Sequence, residues 1–335
     1  MKSCTETNNF DVIRNVLAFL VFFTHWNILT SSGHQSMLFH LSGIAIDMFF
    51  VVSGFLIWWS YSSDRDSINF YLKRFFRVFP LYFFVISTQT VFFIFQSSGS
   101  CADIVKYFSV NIVFLNFLAP SVGDILGGLN VNAINGSLWT LKNEVFFYIS
   151  VPLIYKAYKL YGIKILWFIY SLSVIYLCYF YYINDETMLV QFPAQIRLFL
   201  SGIFAYIFFD KFGRFYPHLV GLSCLLVALL FRNDIVFKIF LYPLALSAAV
   251  IYCAYYLRVF SIRFDFSYSF YIFHFPLIQL AIYYDLNPSN QVLSILSLFF
   301  ITVFLSYLSE LFIEKRFVNV GRRMIIRRKE KIASH

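Results

Sequence analysis

Apolar residues fall in long, nearly unbroken runs along this chain, separated by short polar stretches. A helix that crosses a bilayer needs about 20 mostly apolar residues. Such runs stand at 12–30, 40–61, 76–96, 141–159, 163–183, 194–210, 216–232, 235–256, 267–284 and 291–313. Several neighbours are only a few residues apart, as in helical hairpins. The long connection is 97–140. Its stretch 104–119 is apolar enough for a short interfacial or re-entrant helix, and Gly123, Gly127, Gly128 and Gly136 then mark a loop. No internal repeat is visible. The pattern predicts an all-α, polytopic integral membrane protein with about ten transmembrane helices. It forms a single membrane domain over 8–317, followed by a basic tail, 318–335, too short and too charged to fold alone.

Composition strengthens this picture. Hydrophobic residues make up 60% of the 335 and charged residues 13%, against about 25% charged in a soluble domain. A soluble surface needs more polar cover than that; a lipid-facing one does not. The first apolar run is long and lacks a small-residue cleavage site behind it, so it reads as a retained span. The five cysteines, Cys4, Cys101, Cys178, Cys224 and Cys253, show no metal-ligand spacing and read as small apolar residues. No metal is expected.

Charge supplies orientation. With the N-terminus in the cytoplasm, the inner side holds Lys2; Arg65, Lys73, Arg74 and Arg77; Lys156, Lys159 and Lys164; Lys211 and Arg214; Arg258 and Arg263; and the tail from Lys315 to Lys331. Those are 20 of the 26 lysines and arginines. The positive-inside rule then predicts an even number of spans with both termini cytoplasmic. The net charge of +9 thus sets topology and meets anionic membrane lipids; no nucleic-acid partner is expected.

Ionisable groups inside a span are costly and therefore candidates for function. Arg14 and His25 stand on the first span with ten residues between them. Eleven helical steps make three turns plus about 20°, so the two share a face, about 16 Å apart along the axis. Arg14 belongs near the cytoplasmic surface and His25 towards the outer half. Asp47, at the start of the second span, and Glu144, entering the fourth from outside, fall near the depth of His25. A carboxylate beside a histidine can set its tautomer and raise its basicity, as a general base requires. The plainer role for Glu144 is pairing with Lys142 or Arg197; the Ser53-Gly54 step suits either close helix packing or close approach of substrate to the backbone. Arg74 and Arg77 are neighbours on a helix face at the inner end of the third span. They suit phosphate binding or snorkelling to head groups. His274, inside the ninth span, reads as a structural hydrogen-bonding residue.

These motifs occur in a recognisable order: Arg14 and His25; Gly43 to Gly54, ending Asp-Met-Phe-Phe-Val-Val-Ser-Gly; Arg74-Phe-Phe-Arg77; Ser137 to Tyr148; and Tyr268 to Pro276. The set resembles the acyltransferase-3 family of membrane O-acyltransferases, over about 8–317. Val12, where the family often has Gly, and Asn143, where it frequently has Val, depart from the pattern without touching the ionisable set. The resemblance implies transfer of an acyl group, usually acetyl from cytoplasmic acetyl-CoA, to a hydroxyl of a cell-envelope or secreted carbohydrate or lipid-linked glycan, in the inner (plasma) membrane. It implies a catalytic role for His25 and makes Arg14, Arg74 and Arg77 contacts for the phosphates of an acyl-CoA. Glu144 and Asp47 then stand as assistants to His25. Direct transfer and an acyl-histidine intermediate both remain open. A multispan transporter of an anionic or sugar-linked substrate is the alternative; the lack of paired repeats with broken helices argues against it.

Overall fold

The computed structural model describes residues 7–31, 42–97, 99–212, 217–231, 234–260, 262, 264–286 and 290–333. Lys2, Cys4, Arg214, Arg232 and Arg263 lie outside them. All regular structure among the described residues is helical. The helices are α1 (Phe10–Thr30), α2 (Ser42–Asp64), α3 (Ser67–Phe95), α4 (Cys101–Ile112), α5 (Leu138–Tyr161), α6 (Ile163–Tyr182), α7 (Glu186–Leu189) and α8 (Phe192–Ile207). There follow α9 (Phe209–Phe212), α10 (Pro217–Leu230), α11 (Ile235–Phe240), α12 (Tyr242–Tyr255), α13 (Ser267–Tyr283) and α14 (Gln291–Ser309). The π-helical turn Glu310–Glu314 continues α14 into α15 (Lys315–Ala333), so the basic C-terminal run is helical to Ala333.

Six helical segments among the described residues are long and apolar enough to cross a membrane: Phe10–Thr30, Gly43–Asp64, Ser67–Phe95, Ile163–Tyr182, Glu186–Ile207 and Gln291–Ala333. The other four expected spans are helical but shorter, broken or more polar. The helix α5 carries Lys142, Glu144, Lys156 and Lys159. The helices α10 and α13 have 14 and 17 residues. The run 235–256 divides into α11 and α12 just before Pro243. Proline cannot donate a backbone hydrogen bond and its ring crowds the carbonyl four residues back, here that of Ile239.

The chain forms two compact units, each assembled from separate stretches. The first comprises Met1–Leu17, Gly43–Ser67 and Asn143–Arg263. Here α2 and α8 approach backbone to backbone. A Cβ on Gly54 would run into the Phe199 carbonyl, and one on Gly202 into that of Val51. Small residues permit such contact between helices in lipid, so the Ser53-Gly54 step is a packing site. Aromatic rings fill the flanks: Phe199 stacks on Phe147 with centroids 4.3 Å apart, and Phe10 meets Phe55 at 5.2 Å.

The second unit comprises Ala18–Ser42, Ile68–Lys142 and Phe264–His335. One buried cluster joins Leu81, Tyr82, Val85 and Ile86 of α3 to Leu138, Leu141 and Ile272. The connection between α4 and α5 is an ordered, partly buried segment. Side-chain amides pin it. Asn130 donates to the Leu29 carbonyl (2.6 Å), and Gln279 donates to the carbonyls of Val131 (2.6 Å) and Ala133 (3.1 Å). Pro276, inside α13, leaves the carbonyl of Ile272 without its helical donor, and Asn135 supplies one at 3.0 Å. At the other end, α15 runs beside α3. Gly321 allows contact with the Phe76 ring, and Arg328 donates to Asn69 Oδ1 at 2.8 Å.

Candidate active site

His25 lies in the second half of α1, and Arg14 on the same unbroken helix. Within the second unit, His25 Nδ1 stands 2.7 Å from His274 Nε2. The ring planes are within 15° of each other and the centroids 5.0 Å apart. With nitrogens that close and centroids that far, the two rings meet edge to edge, nearly in one plane. His274 is fully buried. Its Nδ1 lies 3.2 Å from the Phe270 carbonyl, one turn back along α13. The rings of Phe22, Phe270 and Tyr271 surround it. Phe275 presents its ring to His25 at 5.0 Å and 74°, and Gly136 of the pinned connection lies against that same ring. Two helices and one loop therefore hold the pair in place.

Asp47 and Glu144 belong to the first unit, each with its own partners. Glu144 Oε1 accepts from the Tyr148 hydroxyl (2.5 Å) and from Ser53 Oγ (3.1 Å). The Asp47 carboxylate interacts through space with Arg197 and accepts from the Tyr242 hydroxyl. Arg197 is buried, and its Nη1 donates to the carbonyls of Lys238 (3.0 Å) and Ile239 (3.4 Å). Those carbonyls lie where Pro243 interrupts the α11–α12 ladder. Arg197 thus partners Asp47 and caps α11. The partner found at His25 Nδ1 is a second histidine, and those found at Glu144 are hydroxyls.

Of the arginines expected at phosphates, Arg14 pairs with Asp11 at 2.7 Å. Arg77 reaches Asp265 at 2.8 Å and the buried Glu314 at 3.5 Å. Asp265 in turn accepts from the Ser267 hydroxyl at 2.7 Å, at the start of α13. Arg77 is therefore a clamp between α3, α13 and the π-helical turn. Arg74 lies with its guanidinium 5.7 Å from the centre of the Phe70 ring. No group of three or more His, Cys, Asp or Glu side chains that could hold a metal occurs among the described residues.

Sequence reasoning named His274 but gave it a separate structural task. It named Arg197 only as a candidate partner for Glu144, where the structure pairs it with Asp47, and it left out Asp265 and Glu314. The available signal was that His25 and His274 both stand well inside predicted spans, where an ionisable ring is costly without a partner.

Comparison with known proteins now decides the family. The family described as "Acyltransferase domain" matches residues 7–311. The chain belongs to the acyltransferase-3 family. It is 28% identical over 344 aligned residues to an O-acetyl transferase of Shigella phage Sf6, covering 93% of this chain and 96% of that protein. It is 28% identical over 172 residues to Nodulation protein 10 of Rhizobium leguminosarum bv. viciae, covering 47% and 46% of the two chains. It is 27% identical over 130 residues to the acyltransferase MdmB of Streptomyces mycarofaciens, covering 38% and 32%. The chain thus spans less than half the length of these last two relatives. No solved structure gives a significant match. All six site residues expected for the acyltransferase-3 resemblance lie inside the matched region.

Proposed function

We propose that the protein is a multi-pass O-acyltransferase of the inner membrane, with about ten spans and both termini cytoplasmic. It moves an acetyl group from acetyl-CoA on the cytoplasmic side to a hydroxyl of a cell-envelope or secreted carbohydrate. The observation that carries this reading is the family match over residues 7–311, which includes His25 on its apolar helix. In the proposed reaction the acceptor oxygen bonds to the acetyl carbon as the carbon–sulfur bond breaks. His25 takes the hydroxyl proton and passes it to the departing CoA sulfur, so the enzyme returns to its starting state. Arg74, three residues from Arg77 on the same face of α3, is the side chain we assign to the phosphates of CoA, as the family resemblance implies; a planar guanidinium suits a phosphate. The name of the phage relative supports acetyl as the group moved.

The test supplies radiolabelled acetyl-CoA to inverted membrane vesicles that contain either the native protein or His25→Ala. Label should pass to membrane glycan with the native protein only. Equal labelling with both would remove His25 from the chemistry; no labelling with either would remove the acyl-transfer reading. Deleting the gene and comparing envelope polysaccharide O-acetylation by NMR would then name the acceptor.

A further inference from the structure

We infer that His274 is a positioning residue that sets the tautomer of His25, so that Nε2 of His25 is the nitrogen that takes the acceptor proton. The inference rests on the reading of His25 as the base. It follows from counting protons along one line of hydrogen bonds. The Phe270 carbonyl can only accept, so Nδ1 of His274, 3.2 Å away, carries the hydrogen. A neutral imidazole carries one N–H, which leaves Nε2 of His274 with a lone pair. That lone pair faces His25 Nδ1 at 2.7 Å. Two lone pairs cannot meet at that distance, so His25 Nδ1 supplies the hydrogen. The remaining nitrogen of His25, Nε2, is then bare and basic.

The geometry supports the same assignment. With ring planes 15° apart and the nitrogens nearly on the line of centroids, each ring presents its in-plane N–H or lone pair to the other. His274 is fully buried beside Phe22, Phe270 and Tyr271, and turning its ring over would carry Nε2 away from His25 and Nδ1 away from the Phe270 carbonyl. A histidine free in water favours the opposite tautomer, with the hydrogen on Nε2, which could not accept a proton there. The pairing with His274 therefore selects the form that a free His25 would populate less. When Nε2 takes the acceptor proton, the Nδ1–H stays bonded to His274, so the imidazolium forms without a change of partner. This is the orienting task that a carboxylate performs in hydrolase triads, done here by a neutral ring.

The experiment uses the full chain in inverted membrane vesicles, with His274→Leu and His274→Gln beside the native protein. Glutamine keeps a side-chain oxygen that can accept from His25 Nδ1; leucine does not. His274→Leu should lower the initial rate at saturating acetyl-CoA by on the order of 10²-fold, with the apparent KM for acetyl-CoA within about twofold. His274→Gln should recover most of that rate. Solid-state NMR of the native protein labelled with nitrogen-15 histidine supplies an activity-independent readout, with His25→Ala assigning the signals. Nδ1 of His25 should appear protonated and Nε2 bare. A bare Nδ1 in the native protein would overturn the inference. So would full activity in His274→Leu, or folded His274→Gln no better than folded His274→Leu. Should His25→Ala still transfer acetyl, the base reading fails, while the NMR result decides the tautomer separately.

Discussion

Removal of the Asp47–Arg197 pair separates a structural carboxylate from a catalytic one. Opposite unit charges about 6–8 Å apart interact by about 2–3 kcal/mol at an effective dielectric of about 20. Asp47→Asn removes that attraction but keeps an acceptor for Tyr242, so the lost attraction is about 2–3 kcal/mol, offset by the burial cost of the carboxylate that the change relieves. Arg197→Met loses the same attraction and also uncaps the carbonyls of Lys238 and Ile239. Those two bonds add about 1–2 kcal/mol, for a total of about 4. The double variant loses the attraction once and the caps once, again about 4 kcal/mol. The sum of the singles is about 6–7, so the cycle should show a coupling of about 2–3 kcal/mol. Desolvation relieved in a single variant is relieved again in the double and largely cancels. The assay is reversible unfolding in mixed micelles by SDS titration, with acetyl transfer measured per folded molecule. Losses that add to within about 0.5 kcal/mol would refute the pair. Additive losses, with acetyl transfer abolished in folded Asp47→Asn, would place Asp47 in the chemistry instead.

Two further outcomes follow from packing and charge. Gly54→Ala should lower stability by about 1–3 kcal/mol, although alanine favours helix by about 1 kcal/mol over glycine; Gly54→Ala with Gly202→Ala should cost less than the sum, because the first change already parts α2 from α8. SDS titration reads this, and a Gly54→Ala protein as stable as native would mean that the two backbones are not in contact. Arg77→Met should lower stability by about 3–5 kcal/mol through the Glu314 left without its cation, with partial recovery on adding Glu314→Gln, whereas Arg74→Ala should raise the apparent KM for acetyl-CoA. The reverse assignment, stability through Arg74 and KM through Arg77, would exchange their roles.

The parts legible in the sequence are those that depend on one helix at a time. Apolar run length located α1, α2, α3 and α6, because burial of a helix in lipid depends on composition over a window. Helix arithmetic placed Arg14 and His25 on one face, because eleven steps nearly close three turns. The breaks were harder to see. The run 235–256 stays apolar through Leu241, and a hydropathy window gives no weight to the N–H that Pro243 lacks. The break becomes visible only with the residue that answers it, and Arg197 stands on a different helix. Pro276 and Asn135 form a second such couple.

Site partners were the least legible, for a geometric reason. Topology assigns each intramembrane residue a depth, which is one coordinate of three. Residues at one depth share a plane, and their angular positions around the bundle come from packing. Depth placed Glu144 and Asp47 in the same layer as His25. It could not say that Glu144 would be held by Ser53 and Tyr148 or Asp47 by Arg197 and Tyr242. His25 and His274 are 249 residues apart in sequence, beyond the reach of any helical period. What could link them in advance is energetic. An imidazole in hydrocarbon needs a hydrogen-bond partner, and a second imidazole is one of the few that can donate or accept as required. Two histidines inside predicted spans are therefore a testable pair before any coordinates exist, with the backbone carbonyl behind one of them setting the direction of the protons.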